Sequence, residues 1–346
     1  MIFEQIPTGG CQSYLIGCDE TCGAAVVDPE ITQVDRYVAL AAHHGMRIRY
    51  LIDTHTHADH FSATQELSRR LDAPVVMHRQ SPAPFVNIRV DAGEMIIVGK
   101  LRLRVLHTPG HTRDSICLLL PDRLLTGDTL LIGGTGRTDL PTGDAEALHE
   151  SLFNGILRLD PGLLIFPAHD YGKQGHSTLE RELAHNPRLQ KRDRAAFVEM
   201  MGSLNLGMPT HLTEALRTNM SGGKTVAQLL AEAAAKVPFM SLEELKSRVE
   251  TADGTLLVLD VRERDAYESA HIPGARFLPR GQLELRVNSE LPDPTRRVLV
   301  YCDFGKVSTL AAATLREMGY TRAVALDGGM KAWREAGYPV KEGAAP

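Results

Sequence analysis

The chain has 346 residues, of which 43% are hydrophobic and 23% charged, and 38 basic against 43 acidic side chains leave a net charge of −5. That length suggests about two domains, and the composition is that of a folded chain, too apolar for a disordered one. A mildly acidic balance excludes nucleic acid or an anionic membrane as the main partner, because both are held by clustered Lys and Arg.

No run approaches the ~20 apolar residues of a membrane span. The first ten residues, MIFEQIPTGG, lack the basic and apolar regions of an export signal, so a cytoplasmic location is expected. Cys11, Cys18, Cys22, Cys117 and Cys302 form no C-x-x-C pair and read as free thiols. The 14 histidines stand out, because several fall in one tight cluster.

In chain order, residues 48–52 (IRYLI) read as a buried strand ending at Asp53-Thr54-His55. Ser62-x-x-Gln65 reads as a capping box opening a helix that carries Ala63, Leu67 and Leu71 on one face. Residues 101–106 (LRLRVL) alternate as a half-buried strand should, and 115–120 and 123–127 predict a hairpin around Pro121-Asp122. Leu148, Leu152, Ile156 and Leu159 make a helical stripe capped by Asp144, and 163–166 is a further buried strand. A helix is expected over 188–201.

The Ala-rich segment 224–237 reads as helical and Pro238 ends it. With the Gly/Pro-rich stretch before it, it marks a boundary. The expected division is 1–223, a linker at 224–238, and 239–346. In the last part, strands at 256–259, 298–301 and 324–326 alternate with helices, which predicts a small parallel α/β domain. The whole chain is therefore expected to be α/β, with sheets covered by helices in its first part.

His55-x-His57-x-Asp59-His60 directly follows a predicted strand, and His111, Asp128 and His169 each follow another. Three imidazoles and a carboxylate within six residues suit a metal site. In this order the set resembles the metallo-β-lactamase superfamily, over about residues 1–220. The resemblance implies an αββα sandwich with metal at one edge of the sheets. Gly136-Arg137-Thr138-Asp139, Pro167-Ala168-His169-Asp170-Tyr171, Asn186-Pro187-Arg188-Leu189 and Met201-Gly202-Ser203-Leu204-Asn205-Leu206 resemble the persulfide dioxygenase branch.

That branch implies a single Fe(II) per chain on His55, His111 and Asp128. Such a two-histidine, one-carboxylate set leaves positions open for O₂ and substrate. His57, Asp59, His60 and His169 are then expected to orient ligands and substrate. Arg137, Tyr171 and Arg188 are candidates for holding glutathione's carboxylates. The expected reaction takes glutathione persulfide, O₂ and water to glutathione and sulfite. The alternative is a dizinc thioester hydrolase of the glyoxalase II type, with an accessory or sulfur-sensing second domain.

Cys302 follows the strand at 298–301 and opens Cys302-Asp303-Phe304-Gly305-Lys306-Val307-Ser308, ahead of a helix expected from Ser308 to Met318. Backbone N–H groups and a helix N-terminus around a sulfur favour thiolate. With Leu259-Asp260-Val261-Arg262-Glu263, His271-Ile272-Pro273-Gly274-Ala275 and Asp327-Gly328-Gly329-Met330 before Trp333, this loop resembles the rhodanese family over about 239–342. The resemblance implies a Cys302 persulfide that passes sulfur between thiosulfate, which leaves as sulfite, and glutathione. Val307 stands where family members often carry Arg, which removes a bidentate anion contact; Lys306 offers a point charge instead. Homo-oligomerisation is left open.

Overall fold

The computed structural model describes residues 1–209, 212–251 and 254–343. The chain divides into two compact units, Met1–Gly223 and Lys224–Pro346.

In the first unit, one six-stranded sheet runs β1 (Ile2–Pro7), β2 (Gln12–Cys18), β3 (Gly23–Val27), β4 (Arg47–Ile52), β5 (Val75–His78) and β6 (Ile88–Val90), in that spatial order. The first three strands are antiparallel; β3 to β6 are parallel. The second sheet contains β7 (Met95–Val98), β8 (Leu101–His107), β9 (Ile116–Leu119) and β10 (Arg123–Gly127). A short hairpin, β11 (Leu130–Leu131) and β12 (Gly134–Thr135), interrupts the chain before β13 (Leu164–Pro167) and β14 (Ser177–Thr178). Its spatial order is β14-β13-β10-β9-β8-β7.

Alternation explains the layering. In β8, Leu103 and Val105 are buried while Arg102 and Arg104 are exposed. In β9, Ile116 and Leu118 face the space between the sheets, and Cys117 faces the helices behind. The inter-sheet core joins Tyr14, Ile16, Val27 and Ile52 to Leu103, Val105, Leu118 and Phe166. The helices Val34–His43 and Thr64–Leu71 cover the outer face of the first sheet, and Phe197 and Leu148 cover that of the second. This is the expected αββα sandwich.

The topology also brings loops together. Strand β8 is antiparallel to β9, β9 to β10, and β10 is parallel to β13, so β8, β10 and β13 all end at one edge. The Ile116 N–H donates to the Thr54 carbonyl at 2.8 Å, tying the loop after β4 to that edge. Strand β2 runs the opposite way to β3, so its start at Gln12 also lies there.

Three local expectations are corrected. Ser62 does not cap a helix as a box: its hydroxyl donates to Asp53, and the helix begins at Thr64 after Ala63. The helix expected over 188–201 is two pieces, a turn at Pro187–Gln190 capped by Asn186 and a helix Arg194–Gly202 capped by Asp193. Each capping side chain takes backbone N–H groups of its own. The segment 224–238 is not a free linker. Thr225 and Gln228 form a capping box on the helix Val226–Lys236, and Ala233 and Val237 are buried with Leu257, Val298 and Leu315 in the second unit's core.

That unit holds one parallel sheet: β15 (Phe239–Met240), β16 (Leu256–Asp260), β17 (Arg276–Phe277), β18 (Arg297–Tyr301) and β19 (Ala323–Leu326), ordered β15-β19-β18-β16-β17. One core lies on each face of the sheet, the second built around Trp333 and Tyr301. Among the described residues no helix is long and apolar enough to cross a membrane.

Candidate metal centre and candidate thiol site

The edge assembled above carries every member of the histidine set. One ligand atom each from His55, His111 and Asp128 lies within 4.8 Å of the others, and all three side chains are buried. His55 Nδ1 is 3.0 Å from the Thr54 hydroxyl, while its Nε2 is buried without any partner. A buried imidazole nitrogen with nothing to bond is costly unless it serves a ligand. His111 Nδ1 donates to the Arg137 carbonyl at 2.8 Å, which leaves Nε2 as the atom facing Asp128 Oδ2, 3.6 Å away. Gly136 lets this loop close: a Cβ there would lie 2.1 Å from the Asp128 carbonyl and 2.9 Å from His111 Cβ. A divalent transition metal fits this donor set.

The electrostatics agree. Burial alone would push the Asp128 carboxyl up, but His169, His111 and His55 outweigh it and hold the group well below the usual carboxylate range. Burial, reinforced by His57 and His111, drives His55 strongly toward the neutral form a metal needs.

The other four residues are engaged differently. His57 falls in a separate buried group with Asp28 and Asp53: its Nε2 is 3.2 Å from Asp28 Oδ1, and its Nδ1 has no partner. Asp28 sits at φ +49° and accepts from the Thr54 N–H and hydroxyl, so one strained residue fixes both the loop and the ring. His169 is held between two carboxylates, Nδ1 at 2.7 Å from Asp128 and Nε2 at 2.9 Å from Asp59. Asp59 Oδ2 also lies 3.2 Å from His60 Nδ1. Sequence reasoning missed Asp28, Asp53 and Cys11, whose thiol touches Asp59, His60 and His169. Asp28 follows β3 as the candidate ligands follow their strands, and that signal was available; Cys11 precedes its strand and gave none.

A cavity of about 550 Å³ opens over His111, Asp128 and His169, with Arg137, Tyr171 and Arg188 on its wall. Arg137 is spent: its guanidinium donates to both oxygens of Asp139, at 2.6 and 2.7 Å, and to the Gly207 carbonyl. Among the described residues no carboxylate pairs with Arg188, whose Nη1 donates to the Thr135 carbonyl at 2.6 Å. Burial lowers its pKa, as expected of a guanidinium lacking a counter-ion. Tyr171 is 81% exposed, its ring stacked beside His169.

In the second unit, Cys302 ends β18 and is buried. The helix after the loop spans Lys306–Glu317, beginning two residues earlier than expected, because Gly305 takes the left-handed conformation at its N-cap, φ +82°. The Ser308 N–H in its first turn donates to Cys302 Sγ at 3.3 Å, and Sγ lies 3.4 Å from the Ser308 hydroxyl. Gly329 (φ +67°) permits the loop's close packing, since a Cβ there would meet the Cys302 carbonyl at 2.5 Å. Buried Arg262 binds Asp260 at 2.7 Å and Asp303 at 3.1 Å, anchoring the loop from below. Phe304, Lys306 and Val307 are exposed around it.

Comparison with known proteins bears on both units. Residues 6–169 match the metallo-beta-lactamase superfamily, and residues 241–336 match the rhodanese-like domain. The chain is 36% identical over 214 residues to persulfide dioxygenase ETHE1, mitochondrial, of Homo sapiens, across 61% of this chain and 84% of that protein. It is 38% identical to the crystal structure of ETHE1 from Myxococcus xanthus, with a TM-score of 0.63 over 65% of this chain and all of the other. A hydroxyacylglutathione hydrolase of Anaeromyxobacter dehalogenans is 42% identical over 149 residues, but covers only 43% of this chain and 57% of its own.

Proposed function

Since this chain belongs to the persulfide dioxygenase family and carries a rhodanese-like domain, we propose that it oxidises glutathione persulfide with O₂ and also transfers sulfur through Cys302. The first reaction balances as glutathione persulfide, O₂ and water giving glutathione, sulfite and two protons. The observation that carries it is the convergence of His55, His111 and Asp128 on one point, with an unpartnered His55 Nε2 among them.

An Fe(II) ion held by these three residues supplies the one-electron chemistry that lets triplet O₂ react with a closed-shell sulfur anion. The protein's own groups prepare the place. The Arg137 carbonyl and the Thr54 hydroxyl engage His111 and His55 at Nδ1, presenting Nε2 of each. His169 takes one oxygen of Asp128 and leaves Oδ2 to face His111. Arg188, half-buried and without a carboxylate partner among the described residues, is suited to a glutathione carboxylate, with exposed Tyr171 at the mouth beside it.

In the second unit the Cys302 thiolate attacks the outer sulfur of a donor such as thiosulfate. An S–S bond forms on Cys302, and the donor's S–S bond breaks to release sulfite. Glutathione then takes the outer sulfur as its persulfide and regenerates the thiolate. The Ser308 N–H and the helix N-terminus support negative charge at that sulfur.

Anaerobic reconstitution with Fe(II), followed by an oxygen-electrode assay with glutathione persulfide, tests the oxidative half. Stoichiometric O₂ uptake with sulfite release is expected. Absence of uptake alongside brisk thioester hydrolysis would overturn it.

A further inference from the structure

Asp59, His60 and His169 sit beside the three-residue centre, and by chemistry alone they are donors enough for a second ion. Cys11 closes upon them. Its Sγ is 3.1 Å from Asp59 Oδ2, 3.3 Å from His60 Nδ1 and 3.4 Å from His169 Nε2. The sulfur is held there by backbone. Cys11 and His169 form an isolated antiparallel bridge, Gln12 N–H donates to the Ala168 carbonyl at 2.7 Å, and Thr8 N–H to the Cys11 carbonyl at 3.0 Å. The side chain is buried, with 6% of its surface exposed.

We propose that Cys11 sets the metal count of this centre at one, by filling the space a second ion would take and binding its three prospective ligands to one another. This rests on the one-ion reading above and explains how a chain that keeps the full histidine and aspartate set holds to it. Ligands about 2.0–2.2 Å from a tetrahedral ion stand roughly 3.3 Å or more apart. Asp59 Oδ2 and His169 Nε2 are 2.9 Å apart, in direct hydrogen-bond contact, and Asp59 Oδ2 has three donors around it. His169 has both ring nitrogens within hydrogen-bond distance of carboxylate oxygens, Nδ1 of Asp128 and Nε2 of Asp59. The thiol completes the contacts at Asp59 Oδ2, His60 Nδ1 and His169 Nε2, while His60 Nε2 stays buried without a partner. Removing the sulfur opens space next to all three groups at once and takes one donor from Asp59.

The test is metal stoichiometry, measured on the full chain. Wild type, Cys11→Ala and Cys11→Ser are stripped with chelator, titrated anaerobically with Co(II), desalted and assayed for metal, with circular dichroism to establish folding. Wild type is expected to retain one equivalent and Cys11→Ala two. Cys11→Ser, which keeps a smaller donor in place, is expected to take the second ion at least about tenfold more tightly than wild type. If wild type and both folded variants stop at one equivalent with equal affinity, Cys11 does not set the count, and the one-ion reading survives. If wild type itself takes two, with a sulfur-to-cobalt charge-transfer band lost in Cys11→Ala, the thiol is a ligand and the one-ion reading fails with the proposal.

Discussion

The two units bring their chemistry to strand ends by opposite means. The first gathers many groups from many strands: His55 after β4, His111 after β8, Asp128 after β10 and His169 after β13. The second relies on one atom, Cys302 Sγ, set by a single strand-to-helix turn that two glycines allow to close. A metal centre needs several donors converging to within a few ångströms, so it depends on sheet topology. A nucleophile needs one sulfur and a local field, so it depends on a loop of a few residues. The first should fail abruptly when any ligand is lost, and the second should be tunable from its rim.

The sharpest way to break this comparison is to remove one member of each site. Asp128→Asn or His111→Ala should abolish both metal retention and persulfide-dependent O₂ uptake, while sulfur transfer measured by sulfite release from thiosulfate stays near wild type. Cys302→Ser should do the reverse, abolishing transfer and leaving oxidation of added glutathione persulfide intact. If either substitution removed both activities in a folded protein, the two sites would not be independent.

Smaller changes sharpen the contrast. Arg188→Met should raise the KM for glutathione persulfide by about tenfold or more, the worth of one charged hydrogen bond, with little change in kcat. Arg137→Met should affect KM less, because that guanidinium is already satisfied by Asp139; equal effects from the two would show that the pairing with Asp139 gives way to substrate. At the rim of the thiol loop, Val307→Arg should lower the KM for thiosulfate by a few-fold, up to about tenfold, by restoring a bidentate anion contact. A wild-type KM there would mean that Lys306 already meets the need.

Much of the first candidate site was legible because the residues that converge there lie immediately after apolar runs, and an apolar run followed by His or Asp is a local signal. The hairpin of β9 and β10, the alternation of β8 and the Asp144 cap were equally local. Cys11 was not legible: it lies 48 residues from Asp59 and 158 from His169, and only the reversed direction of β2 brings it to their edge. The pairing of Arg137 was half legible, since its partner Asp139 is close in sequence but its grip on Gly207 is not. The segment 224–238 looked like a linker because Gly and Pro flank it. Burial of Ala233 and Val237, a tertiary fact, makes it part of the second core.

The most direct test of the central claim is elemental analysis of the full chain purified without added metal, read beside O₂ consumption on the same sample. One iron per chain, with uptake of O₂ proportional to iron content, is the predicted result. Two zinc ions per chain and no O₂ uptake with glutathione persulfide would contradict it.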